Sequence, residues 1–188
     1  MINSISFGAK YISSDNIKQL DLFKKTYSPR KVSIVKIDGT NEADVKAVGK
    51  AVTKWKDAAY AQSIQCVLNS IFARFIEPEE RTVFAITTQN KNHGKLKNKK
   101  ILALAEVNTS KDSTINLDYL QVNPDYIHTA KSRKYKGIGS CMLNFLKQTF
   151  QKPIILQSDF HVTDFYTKNK FDVLDAKKFK YIWNPNRA

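Results

Sequence analysis

The stretch from Thr114 to Phe150 constrains the fold most. It runs "TINLDYLQVNP", then a polar interval, then "KYKGIGSCMLNFLKQTF". The first part is a β-prone apolar run closed by Pro124, which reads as a strand. The second carries Ile138, Met142, Phe145, Leu146 and Phe150 at helical spacing. A helix N-terminus presents about four unpaired N–H groups and roughly half a positive charge, which together suit an anion. Gly137 and Gly139 let the backbone approach that anion without a Cβ in the way. Two nucleotide-binding patterns are excluded. No Gly-Lys-Ser/Thr completes a Walker loop, and Met142 stands where a dinucleotide fingerprint needs its third glycine. A tight turn without ligand is the other reading of the same residues.

The flanking sequence supplies a sheet for this strand. "KVSIVKI" (31–37) followed by "DGT" reads as a strand and a turn. Val45, Val48, Val52 and Trp55, then Tyr60, Ile64, Val67, Leu68, Ile71 and Phe75, predict two helices, or one kinked near Asp57, ending before Pro78. "RTVFAITT" (81–88), "KILALAEVNT" (100–109) and 114–124 predict an antiparallel meander. "KPIILQS" (152–158) reads as a strand, "VTDFYTKNKF" as a short helix and "FKYIWN" (179–184) as a last strand. The order describes a mixed sheet with helices packed on it.

At 188 residues and 42% hydrophobic content the chain is expected to form one domain, 1–188. Its longest apolar run, "ILALA", is too short to span a bilayer, and the N-terminus has no signal-peptide pattern; a cytoplasmic protein with no membrane partner is expected. Cys66 and Cys141 are too few for a disulfide framework, and with His93, His128 and His161 scattered no metal site is expected. The net charge of +14 implies a polyanionic partner or a field that steers one. The excess gathers in "KNHGKLKNKK" (91–100), "KSRKYK" (131–136) and "KKFK" (177–180).

Residues 115–171 resemble the GCN5-related N-acetyltransferase (GNAT) family on three separated elements. A strand ending apolar-x-Val-x-Pro is matched by "LQVNP". The family's Arg/Gln-x-x-Gly-x-Gly/Ala is matched by "KYKGIG", and its aromatic-tyrosine pair before Gly-Phe by "FYTKNKF" (165–171). The resemblance implies an α/β (α+β mixed) fold, a central mixed and mostly antiparallel sheet flanked by helices. It implies acetyl-CoA as cosubstrate, with its pyrophosphate on the backbone of Lys136, Gly137, Ile138, Gly139 and Ser140. Lys134 takes the Arg/Gln position with Tyr135 beside it, and Ile138 packs under the loop. The backbone of Leu120 and Val122, with Gln121 between them, would pair with the pantetheine arm. Tyr166 would stabilise the departing thiolate.

The general base stays open between Asp118 and Glu106. Strict alternation puts Asn116, Asp118, Leu120 and Val122 on one face of the strand and Ile115, Leu117, Tyr119 and Gln121 on the other, unless a bulge re-aims them. The chain departs from the family pattern in three places. "IHTAKSR" (127–133) is inserted ahead of the loop, Asp159 replaces an asparagine, and Lys170 replaces the glycine before Phe171. The function expected is acetyl transfer to a primary amine on a protein, an aminoacyl-tRNA or a small molecule, with a polycationic acceptor disfavoured by the charge. Two alternatives accompany it. One is an inactive CoA-binding module of the same fold. The other is a basic nucleic-acid-binding protein that uses the lysine clusters on phosphates and Tyr126 or Tyr135 on bases.

Overall fold

The computed structural model describes residues 8–21, 23–56, 58–89, 95–109, 113–127 and 133–187. Asp57, His93, His128, the first part of the lysine-rich loop and most of "IHTAKSR" lie outside the described residues. Among the described residues nine strands form one sheet in the order β6-β1-β2-β3-β4-β5-β7-β9-β8. The elements are β1 Lys10–Asp21, β2 Thr26–Lys36, α1 Glu42–Lys54, α2 Ala59–Phe72, β3 Arg81–Thr87, β4 Ile101–Asn108, β5 Ile115–Val122, β6 Tyr135–Lys136, α3 Ile138–Phe150, β7 Ile154–Gln157, α4 Thr163–Lys168, β8 Asp172–Asp175 and β9 Lys180–Trp183. Neighbouring strands are antiparallel except β5 and β7. The mixed, mostly antiparallel sheet flanked by helices is therefore present.

The sheet separates two cores. On one face Ile138, Met142, Leu143 and Leu146 of α3 pack with Leu117, Ile154 and Phe84. On the other Val45 and Val48 of α1 and Ile64 and Leu68 of α2 pack with Val35, Val83 and Leu104. β4 sits centrally and all but its last residue is buried, so "ILALAEVN" reads as an apolar run with little alternation.

Three expectations are corrected. The long hairpin of β1 and β2 was not anticipated, because β1 buries only Ile17 and shows almost no apolar alternation. β8 was missed for the same reason: it has no buried residue and is held by pairing with β9. Finally, α2 stops at Phe72, well before Pro78. Arg74 takes a left-handed φ of 61°, its N–H bonds to the Ile71 carbonyl and that of Phe75 to Ser70. This double closure is a Schellman motif, so the chain turns out of the helix before the proline acts, leaving Phe75 exposed.

Candidate active site

β5 and β7 are the parallel pair, and they pair for only three residues, Ile115–Ile154, Asn116–Ile155 and Leu117–Leu156. Beyond Leu117, β5 keeps β4 on one side, through Leu120–Ala105, Gln121–Leu104 and Val122–Ala103. Among the described residues its other edge carries no strand partner from Asp118 to Val122. An unpaired edge presents N–H and C=O groups that can bind an extended chain.

That edge leads towards α3. Gly137 precedes the helix with φ 79° and ψ 10°, a left-handed conformation that favours glycine. The first α3 hydrogen bond runs from Cys141 N–H to the Gly137 carbonyl at 2.9 Å. The N–H groups of Ile138, Gly139 and Ser140 precede it, and no side-chain cap covers them. The two glycines serve different needs. A Cβ on Gly137 would meet nothing within 4 Å, so its backbone conformation is what calls for glycine; one on Gly139 would come within 2.8 Å of the Phe165 ring and 3.6 Å of Val122. Gly139 therefore admits the close approach of β5 and α4 as well as leaving the helix end bare.

The remaining loop residues are distributed unevenly. Lys136 and Tyr135 form β6, paired with Lys18 and Gln19 of β1, so they belong to the sheet edge rather than to a free loop. The Tyr135 ring is buried and meets Tyr126 edge to face at 5.0 Å. Tyr135 therefore offers no exposed base-stacking surface for the nucleic-acid alternative, while Tyr126 is half-buried. Ile138 is buried beneath the loop, and Lys134 is exposed.

The facing prediction for β5 is overturned by a bulge. Glu106 pairs with Tyr119 and Val107 with Leu117, so Asp118 is an extra residue between them. Leu120 and Val122 consequently join Ile115 and Leu117 on the α3 side, while Tyr119 turns towards α2, its ring 5.7 Å from that of Tyr60. The bulge directs Asp118 into a pocket of about 330 Å³ lined by Arg81, Asn116, Asp118, Tyr119, Gln157 and Lys180.

Arg81 organises the two candidate bases. Its Nη1 lies 2.6 Å from Glu106 Oε1 and 3.0 Å from Asp118 Oδ2. Glu106 is fully buried, and its Oε2 has no hydrogen-bond partner among the described residues. Burial raises the pKa of both carboxyls above the ordinary value, opposed by the Arg81 guanidinium. Glu106 and Asp118 are thus brought together, but only Asp118 lines the pocket. Arg81 escaped the sequence reading because it meets its partners through strand register, 25 and 37 residues along the chain.

Tyr166, on α4, is buried between Phe171 and Tyr181, with ring centroids 5.9 and 5.8 Å away. Burial, then the neighbouring Tyr60 and Asp159, raise its pKa, so the phenol stays protonated and has a hydrogen to donate. Tyr60 is pushed up to about 12 by burial and by its hydrogen bond to Asp159. Tyr60, Asp159 and Tyr166 therefore form one polar group drawn from α2, the end of β7 and α4. Sequence reasoning missed Tyr60, whose position in a helical stripe looks like core.

No protein-family model matches the chain, and no curated protein does. Solved structures do. An acetyltransferase assigned to the GNAT family from Desulfovibrio desulfuricans is 12% identical, with a TM-score of 0.57 over 82% of this chain and 99% of that one. A GNAT-family acetyltransferase from Staphylococcus aureus Mu50 is 14% identical, with a TM-score of 0.53 over 82% and 99%. A mutant of the AtaT toxin, bound to the C-terminus of the antitoxin AtaR and acetyl-CoA, is 9% identical, with a TM-score of 0.50 over 83% and 94%. By architecture, this chain has the fold of the GNAT acetyltransferases.

Proposed function

We propose that this protein transfers an acetyl group from acetyl-CoA to a primary amine. The observation that carries the reading is one of order. The unpaired edge of β5 leads to the uncapped N-terminus of α3, and a buried, protonated tyrosine stands on the neighbouring α4. A pantetheine chain needs partners for its amides and a pyrophosphate needs N–H groups and positive potential. Leu120, Gln121 and Val122 would supply the first. Gly137, Ile138, Gly139 and Ser140 would supply the second, with Lys134 adding charge. Bound acetyl-CoA contributes an activated acyl group.

The protein's own groups address two difficulties. An amine of pKa about 10.4 is protonated at neutral pH, and freeing it costs about 4–5 kcal/mol, so a proton acceptor helps. Asp118 suits that role because it lines the pocket and burial raises its proton affinity. Glu106 is better placed to hold Arg81, and through it Asp118, since it is sealed from the pocket lining. The second difficulty is the departing thiolate, of ordinary pKa about 8.5; a phenol held above its usual value donates a hydrogen bond to it without giving up the proton outright.

Labelled acetyl-CoA offered to separate pools of RNA, protein and small amines from a cell extract, with release of free thiol followed in parallel, tests the activity and sorts the acceptor. Label entering one pool with matching thiol release supports the reading. No transfer to any pool opposes it. In an active assay Tyr166→Phe should lower kcat about 100-fold with acetyl-CoA affinity unchanged, and an equal loss of affinity would make Tyr166 a packing residue.

A further inference from the structure

We infer that the outer face of the β1–β2 hairpin is a docking platform for single-stranded RNA. The register segregates charge between the hairpin's two faces. Ile17 and Val32 point into the α3-side core, and Asp15 pairs with Val32 and Asp21 follows at the same parity, so both acids belong to that side. The opposite side carries Asn16, Lys18 and Leu20 from β1 and Tyr27, Pro29 and Lys31 from β2. Lys136 of β6 joins it, since Tyr135 points into the core. Lys18 and Lys31 are exposed, as are Lys24 and Lys25 at the turn. No carboxylate shares this face among the described residues of the hairpin.

Lys18 and Lys136 are direct cross-strand partners. Like charges placed opposite one another on a sheet oppose folding, so an anion seated between them removes a standing repulsion. The Lys136 ammonium lies 3.9 Å from the Tyr27 ring centroid, and the Tyr27 hydroxyl donates to the Arg133 carbonyl at 3.0 Å. These contacts hold the hairpin against the segment that leads into α3. At the tip, Phe23 is 98% exposed beside Lys24 and Lys25.

The extent of the face selects the occupant. Lys31 lies six positions beyond Lys25, a span of about 20 Å at strand rise. A linear polyanion with several phosphates matches that span, and the bare Phe23 ring beside Lys24 and Lys25 suits a base next to its phosphates. Helices α1 and α2 leave the platform uncovered, because their core takes in Val35 and Ile37 at the hairpin's base.

Anisotropy of a fluorescein-labelled 20-nucleotide single-stranded RNA, titrated with the full chain at several salt concentrations, reads the binding. Wild type should bind with a log-log salt slope of about −3, as four phosphate contacts give on a single strand. Lys18→Glu with Lys31→Glu should lose at least about tenfold in affinity and flatten the slope by about 1.4. Phe23→Ala should lose several-fold. Lys50→Glu with Lys54→Glu, an equal charge change on exposed α1 positions, should change affinity less than about twofold. Equal losses in both double variants would reduce the effect to net charge and overturn the proposal. So would absent RNA binding, or binding to phosphatidylserine vesicles in its place. Acetyl-CoA affinity should be unchanged in Lys18→Glu with Lys31→Glu; a parallel fall would give the platform to the coenzyme and also overturn it. None of these readouts requires acetyl transfer, so the activity can fail while the platform stands.

Discussion

Helices α1 and α3 are both 13 residues long, and their N-termini are built in opposite ways. At α1 the Asn41 side chain accepts from the N–H groups of Ala43 and Asp44 at 3.0 and 3.2 Å, and Glu42 and Asp44 put acids in the first turn. At α3 a left-handed glycine precedes the helix, no side chain caps it and the first turn has no acid. The chain satisfies one helix end with a side chain and leaves the other bare. Capping is worth about 1 kcal/mol; α2 also lacks a side-chain cap, so what sets α3 apart is the left-handed glycine ahead of its bare end.

The difference can be attacked from either end, and the largest effect is expected at α3. Ser140→Asp supplies the missing acid in the first turn. It should weaken acetyl-CoA binding about 100-fold, equivalent to about 2.7 kcal/mol, while the melting temperature of the free protein stays level or rises slightly. Calorimetric titration and a thermal scan read the two signs, and retained affinity would break the comparison.

At α1 the group to replace is Asp44, where the substitution itself has the smaller effect. Burial raises this carboxyl to about 6, opposed by backbone hydrogen bonds. A folded-state value above the unfolded one means that the fold holds the proton more tightly, so the cost of ionisation is absent below about pH 4 and complete above about pH 6. Across that window the protein should lose up to about 3 kcal/mol of stability from this group as pH rises. Asp44→Asn should flatten that part of the profile in urea titrations and add about 1–2 kcal/mol at pH 7; an unchanged slope would refute the assignment.

Gly137→Ala comes next, since a Cβ there meets no atom but the left-handed backbone is strained by about 1–2 kcal/mol. Stability should fall by that amount and acetyl-CoA affinity several-fold; a substitution without effect on either would mean that the turn is not specified by this glycine. Asn41→Ala closes the series. It should cost about 1 kcal/mol of stability and leave acetyl-CoA affinity untouched, and a loss of affinity would show that the two helix ends are not independent.

The same contrast explains what could be read from the sequence. The helix end at α3 is specified locally, by glycines at 137 and 139 ahead of an apolar stripe and behind a strand closed by Pro124. Those residues are neighbours in the chain, and so are their consequences. The polar groups gathered around β5 are Arg81, Glu106, Asp118, Tyr60 and Asp159, which come from five separate segments, and of these Arg81 and Asp118 line the pocket. Their meeting depends on strand register and on the bulge at Asp118, which reverses the facing of Leu120 and Val122. Alternation cannot announce that reversal, because "LDYLQV" keeps a plausible pattern with or without an extra residue. The hairpin strand β1 was opaque for a different reason: with Ile17 its lone buried residue, its stability comes from pairing with β2 and β6 rather than from an apolar face.

The central claim is that the edge of β5 and the open end of α3 hold acetyl-CoA, and a thermal scan of the wild-type chain with and without it tests this most directly. Ligand at about 100 times its dissociation constant adds about 2.7 kcal/mol to stability, which for a chain of this size should raise the melting temperature by about 5–10 °C. A melting temperature unmoved by several millimolar acetyl-CoA would contradict the account.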